Sequence, residues 1–411
     1  MIIQDIYNGD GVCFIDPHGE TAEMILERIP PERADDVIYF NAGDFERPFG
    51  LNILEFYNEQ HKHQIVNSFI DLLIRLFDPH NQGYVGPMMQ QAVRNSMLTA
   101  MSVEGSTLIE VVRMLQDEKW VYEKWLPLVK DELVRRYWTD QVAKTDAKTK
   151  SESLGYFISK FDKFTTNLAI RNIIGQSKSS FDFREIMDTR KILIVNLSKG
   201  ALGEENMSFI GLLLVQKLLA AALSRENVPE DQRKDFFFYA DEFQNFATQE
   251  FTSILSEARK YRLNLTLAHQ YIGQLPEDIK NAVFGNVGSL FITRCSNEDA
   301  QFLEPQFETY VKATDIINQS LAHYYVKMLT NSSYPSPFSL DTRYGPKYVN
   351  ETGFDLKVNP EVKDIITKMS RLKYGRDVNL VNMEINRRAD LDRREEESVQ
   401  NNPSGFPPID F

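Results

Sequence analysis

The segment FFFYADEFQNF, residues 236–246, holds the densest chemistry in the sequence. Its aromatic and apolar half reads as a buried strand, and Asp241-Glu242 falls at the carboxyl end of that strand. In open α/β sheets this edge is where ligands bind. One carboxylate there can hold Mg²⁺ through water while its neighbour polarises an attacking water, which is the logic of a Walker B element. The plainer reading is a pair of solvated acids. A second strand, 264–268, ends in His269-Gln270 and places an amide able to sense a γ-phosphate and move on hydrolysis. Arg259 lies on the intervening helix, followed by Lys260 and Arg262. It reads either as a solvated helix arginine pairing with Glu257 or Glu250, or as an arginine finger reaching a neighbouring subunit's nucleotide.

Asp16 and His18 sit in DPHG, where the short apolar run 12–15 ends. Asp16 could support Mg²⁺ or the base of the site, or it could form an Asp-Pro turn that caps the next helix, the reading preferred for His18. Use of this acid to hold a ribose would need an upstream GxGxxG, which is absent. His61 and His63 open a polar helical start and read as solvated rather than as metal ligands, and Arg171 reads as a structural ion-pair residue in preference to one reaching a nucleotide across an interface. Cys13 and Cys295 have no cysteine or histidine at zinc-ligand spacing and form no disulfide framework, so a reducing compartment is expected.

The elements that must position these residues follow from hydrophobic period. MIIQDIY reads as the last turns of a helix stopped by Gly9 and Gly11, and 12–15 and 36–40 read as short strands. From about residue 56 to 175 apolar residues recur every three or four positions without strand-like alternation, with a capping box at Thr107 and Glu110. AKTDAKTKSES, 143–153, reads as a polar, mobile connection. The α/β rhythm then returns, with strands expected at 192–197, 235–240, 264–268 and 289–293 in one mainly parallel sheet covered on both faces. Beyond about residue 330 the pattern weakens, and the charged, Pro-rich end reads as partly disordered.

At these residues the chain resembles a family. FIDPHGE, the strand-end Asp-Glu, EARKYRLNLTLAHQ and NVGSLFITRCSNEDA are similar to the motor domain of type IV secretion coupling proteins, from residue 1 to about 340. These are the TraD/TraG-type conjugative DNA-transfer ATPases of the HerA/FtsK class. The resemblance implies an α/β, RecA-like P-loop NTPase core with an inserted all-α domain. The expected divisions are 1–55 and 172–330 for the motor domain, 56–171 for the all-α domain and 331–411 for the C-terminal extension. It also implies ATP and Mg²⁺ as cofactors, with Asp241 on the metal, Glu242 activating water, Gln270 at the sensor position and Arg259 as the finger. The implied partners are DNA threaded through the pore of a homo-oligomeric, hexameric ring, the relaxosome and other secretion components.

One departure is plain. The 411 residues contain no Gly-x4-Gly-Lys-Ser/Thr, the loop whose amides and lysine hold phosphates. Truncation ahead of residue 1 is the expected cause, and a non-hydrolysing docking or assembly protein that keeps the motor fold is the alternative. A net charge of −13 means that any DNA contact comes from a local basic patch or pore lining. The longest apolar stretch, 207–223, is broken by Gln216 and Lys217 and reads as too short for a bilayer. With no signal peptide, the chain as written is expected in the cytoplasm, and its full-length parent at the cytoplasmic face of the inner membrane.

Overall fold

Short apolar runs that do not alternate become strands covered on both faces. In the computed structural model, β1 (Gly11–Asp16) and β3 (Ile192–Asn196) are buried at every position. β2 (Val37–Asn41) and β4 (Phe236–Ala240) each have a single half-buried residue. With β5 (Leu263–Leu267) they form a five-stranded sheet in the order β2-β3-β1-β4-β5. β1 pairs parallel with both β3 and β4, and β4 pairs parallel with β5. This is the α/β architecture expected from the sequence. The structure describes residues 1–79, 82–307, 309–330, 333–342 and 357–390.

The chain divides into two compact units, Met1–Tyr39, Phe183–Leu197 and Val215–Lys368 in one, Phe40–Asp182, Ser198–Leu214 and Met369–Phe411 in the other. The core of the first packs Val12, Phe14, Ile192 and Ile194 of the sheet against Ala22, Ile25 and Leu26 of the Glu20–Leu26 helix. Val362 and Ile366 of the Pro360–Tyr374 helix complete the same core. Lys363 secures that helix with ion pairs to Glu23 at 3.2 Å and Glu27 at 3.4 Å. No element was assigned beyond residue 330 from the sequence, because each of these helices buries too narrow a stripe to show a strong period. The charged end, 391–411, lies outside the described residues.

Three other expectations change. Strand β6 (Ser289–Ile292) does not join the parallel sheet. It pairs antiparallel with β7 (His323–Met328), which pairs antiparallel with β8 (Phe338–Asp341), in a separate sheet. A run as short as Ser289–Ile292, with three apolar residues, specifies a strand without naming its partner. Here Leu290 and Ile292 pack with Ala300, Leu303, Phe307 and Ile316 in a core of their own. The 143–153 stretch is not wholly a connection, since the backbone is helical from Ala147 to Thr166. Alanine, lysine and glutamate favour helix even where no apolar period shows. The broken apolar stretch lies in a longer helix, Glu204–Asn227, which is long and apolar enough to cross a membrane. Its most apolar window is 78% buried inside the structure, as a core helix would be.

In the second unit, helices Glu59–Phe77, Pro87–Ala100, Leu108–Gln116 and Leu168–Ile174 follow the apolar spacing. No strand occurs among the described residues of 56–170. The capping box forms: Thr107 caps the Leu108–Gln116 helix, and Glu110 Oε2 accepts from the Thr107 amide at 2.7 Å. Glu110 is fully buried, a costly place for a carboxylate unless it is paired. Arg388 supplies the pair, with Nε 2.8 Å from Glu110 Oε1, Nη1 3.0 Å from Glu384, and Nη2 donating to the Gly175 carbonyl at 2.5 Å. Arg388→Ala is therefore expected to lower unfolding free energy by about 3–5 kcal/mol, the usual cost of leaving a buried ion unpaired. Urea denaturation of the full chain checks this, with exposed Lys119→Ala as the near-neutral control. A small loss at Arg388 would show that the buried carboxylate is not held by this pair.

Candidate nucleotide-edge site

Parallel register lines the site up. Ile15 pairs with Ala240 and Ala240 with Leu267, so Asp16, Asp241 and Ala268 stand level at the carboxyl edge. Backbone bonds run on past the strands: the Asp241 amide donates to the Ile15 carbonyl at 3.2 Å, and the Phe243 amide to the Ala268 carbonyl at 2.8 Å. The chain leaves β1 toward one edge of the sheet and leaves β4 toward the other. The crevice between β1 and β4 is thus the topological switch point, where α/β sheets bind ligands.

Asp16 is buried and both its carboxylate oxygens are occupied. Oδ1 accepts from the His18 amide and Oδ2 from the Ala22 amide, each at 2.9 Å, so it caps the Glu20–Leu26 helix. His18 is exposed. Asp241 is half-buried, and its Oδ1 accepts from the Glu242 amide at 3.0 Å. Burial pushes its carboxyl above the ordinary carboxylate range; the Glu242 amide opposes this, while the Glu242 and Asp16 charges reinforce it.

Glu242 adopts the left-handed conformation, φ 49° and ψ 47°. That costs a non-glycine residue roughly 1–2 kcal/mol. The turn it makes leads into the 3-10 segment Phe243–Asn245 and folds Gln244 back, so that Gln244 Nε2 donates to Glu242 Oε2 at 2.6 Å. Gln270, exposed just beyond β5, donates from Nε2 to Glu242 Oε1. The structure thus joins Glu242 and Gln270 directly and adds Gln244, which the sequence reading did not select. Here the left-handed turn at Glu242 brings the two side chains together, and nothing in the spacing signals that turn. His269 is half-buried, and burial lowers its pKa against the opposing pull of Asp299 and Glu242.

Arg259 is not brought to this edge. It is exposed in the 3-10 turn Ala258–Tyr261, which enters β5 from its amino end. Four strand rises, about 13 Å, separate that end from the carboxyl edge. Arg171, far from the edge in sequence, donates to the Asn382 side chain at 3.5 Å within the second unit. His61 caps nothing itself; its amide donates to the Asn58 side chain at 3.0 Å.

Among the described residues no group of three or more His, Cys, Asp or Glu gathers as a metal cluster. A magnesium ion bridged by water needs none, because it keeps most of its hydration shell and takes one or two carboxylates. Asp241, anchored through one oxygen beside a second acid, suits that use. The phosphate side is different: the 411 residues supply no Gly-x4-Gly-Lys-Ser/Thr loop. The residues present fit the metal and water half of a nucleotide site and not the phosphate cradle.

The fold has solved counterparts. The bacterial conjugative coupling protein TrwB, in an unbound form, superposes with a TM-score of 0.57 over 84% of this chain and 81% of its own, at 14% identity. TrwB in complex with the non-hydrolysable GTP analogue GDPNP gives 0.59 over 83% and 80%, also at 14% identity. VirB4 of Thermoanaerobacter pseudethanolicus gives 0.55 over 84% and 85%, at 11% identity. At such identities the likeness establishes the fold alone, a TrwB-like α/β fold. No curated protein matches the sequence. Residues 103–301, from the helical insertion through the carboxylate edge to β6, match the family described as type IV secretory system conjugative DNA transfer. Over these residues the chain is similar to that family of conjugative DNA-transfer proteins.

Proposed function

We propose that this chain is the motor portion of an ATPase that drives DNA through a conjugative type IV secretion apparatus. The observation that carries the reading is the Glu242 carboxylate held between the Gln244 and Gln270 carboxamides at the switch point of a parallel sheet. ATP and Mg²⁺ are the cofactors of this proposal, in keeping with the solved complex of TrwB with ADP and Mg²⁺. Bound there, the metal would neutralise phosphate charge. Asp241 is positioned to hold its water shell, and Glu242 to accept a proton from the attacking water. Gln270 ties Glu242 to the end of β5, so a change at the edge is felt along that strand. Asp16, with both oxygens committed to amides, shapes the edge and adds negative charge.

Arg259 at the far end of β5 can serve only another subunit's nucleotide, which calls for a homo-oligomeric ring, hexameric in this reading. DNA would pass through its pore, with the relaxosome and secretion components as protein partners and the cytoplasmic face of the inner membrane as the location. The motor domain is assigned to 1–55 and 172–330 and the all-α domain to 56–171. The absence of a phosphate loop from the 411 residues favours a second reading, a docking or assembly protein that keeps the shape without turnover.

Three outcomes follow. Purified residues 1–411 are expected to release no phosphate from Mg·ATP; Mg²⁺-dependent turnover would place the site elsewhere. In a chain extended upstream with a Gly-x4-Gly-Lys-Ser/Thr segment, Glu242→Gln should keep nucleotide binding and lose hydrolysis by about 10²–10⁴-fold, the usual worth of a positioned base. Arg259→Ala should also stop turnover there, and rings mixing it with Glu242→Gln subunits should regain part of it. A flat mixing curve rejects the finger, and an extended chain without turnover favours the docking reading.

The raised pKa of Asp241 gives a test on the chain as it stands. The fold holds the Asp241 proton more tightly than the unfolded chain does. Its stabilising share is therefore complete below the unfolded pKa of about 3.9 and is lost as pH rises through the higher folded value. Asp241→Asn should melt above the parent at pH 7, and the difference should close toward pH 4. A variant that melts lower at pH 7 would mean that the ionised carboxylate is compensated in the fold.

A further inference from the structure

The helical hairpin at 360–388 buries Val362, Ile366, Val381 and Ile385. In the second unit charged groups hold it as well. Arg371 pairs with Asp44, and its Nη2 lies 2.9 Å from Glu46; Arg376 pairs with Glu384 at 2.6 Å, and Arg388 with buried Glu110. Arg47 donates to the Arg371 carbonyl at 3.0 Å and the Gly375 carbonyl at 2.8 Å, clamping the turn between the helices. Large apolar side chains are left outside. Leu372 is 72% exposed, and on the Val378–Arg388 helix Leu380 is 58% and Met383 67% exposed. Leu380, Met383 and Arg387 fall at helical spacings of three and four, on one face. Arg387 is exposed and has no carboxylate partner among the described residues.

Sequence supplies an occupant of matching chemistry. After Asp390 the chain runs through LDRREEESVQNNPS to Gly405-Phe406-Pro407-Pro408-Ile409-Asp410-Phe411. Three apolar anchors and one carboxylate stand there against the apolar pair and the cation of the face. The two prolines restrict the backbone and so reduce the ordering cost of binding. Reach is ample: the intervening residues can extend to about 50 Å, against roughly 17 Å for an eleven-residue helix. The tether begins where the Val378–Arg388 helix ends, which makes the local concentration of the segment high.

We propose that residues 406–411 dock within their own chain on the Leu380–Met383–Arg387 face of the Val378–Arg388 helix. The contact is independent of the ATPase reading, since none of these residues is at the carboxylate edge.

The test uses a fluorescein-labelled GFPPIDF peptide, fluorescence anisotropy and full-length chains. A chain carrying Phe406→Asp and Phe411→Asp should bind the peptide saturably, and the parent chain about 10-fold or more weakly, because its own segment competes. Adding Leu380→Asp and Met383→Asp, both at exposed positions, should abolish binding. Should that variant misfold by circular dichroism, a peptide with both phenylalanines replaced by alanine makes the same test on unaltered protein and should not bind. Equal binding to the parent and the Phe-substituted chain overturns the proposal, as does binding that survives loss of Leu380 and Met383, or no binding to any chain. Light scattering separates the remaining occupant: dimers of the parent that vanish in the Phe-substituted chain would assign the face to a second copy and overturn docking within the chain.

Discussion

The register of β4 between β1 and β5 is the constraint on which the candidate site depends. Hydrogen bonds from both neighbours fix Ala240 level with Ile15 and Leu267, and they continue one step beyond the strands on each side. Asp241 therefore emerges beside Asp16, and Glu242 turns toward the end of β5 rather than away from it. A slip of one residue would exchange the two faces of β4 and carry Phe236, Phe238 and Ala240 out of their buried places. The apolar surface of the strand thus protects the geometry of two acids that bury almost none. The left-handed backbone at Glu242 is tolerated in the same way, held by packing and by the carboxamides on either side.

Much of this was legible in the residues. Unbroken apolar runs identified β1 to β5, because only strands buried on both faces omit the polar alternation. The Asp-Glu pair at the end of β4 and the His-Gln pair at the end of β5 followed from where those runs stop. The capping box at Thr107 and Glu110 was readable for the same local reason. What stayed hidden is what depends on distant partners. β6 carries no mark of choosing β7, and Glu110 carries no mark of needing Arg388. Gln244 was passed over because its contact is made by a backbone turn rather than by side-chain type. Arg259 could be placed on its helix, while its separation from the carboxylate edge required the strand direction.

The two carboxylates that matter most in the structure are handled in opposite ways. Glu110 is taken fully out of water and given a guanidinium and a hydroxyl, a fixed arrangement that serves the fold. Asp241 is half-buried with no cation at hydrogen-bonding distance among the described residues, and burial works against its charge. Buried, strained or unneutralised groups collect where a ligand is to complete the electrostatics, and structural charges are completed by the chain itself. By that criterion the carboxylate edge is where the proposed nucleotide and metal would complete the electrostatics.

The Glu110–Arg388 pair also sets an order on the making of the protein. The two residues are 278 positions apart, so the ribosome delivers the helix that needs the arginine long before the arginine. At bacterial-to-eukaryotic elongation rates of about 5–20 residues per second, the gap is on the order of tens of seconds. Throughout that interval Glu110 has no guanidinium to meet, and closing the helical unit around it is less favourable than in the finished chain. The Leu108–Gln116 region is therefore least secure until the Val378–Arg388 helix is released, and a chain interrupted before residue 388 carries the same deficit as Arg388→Ala.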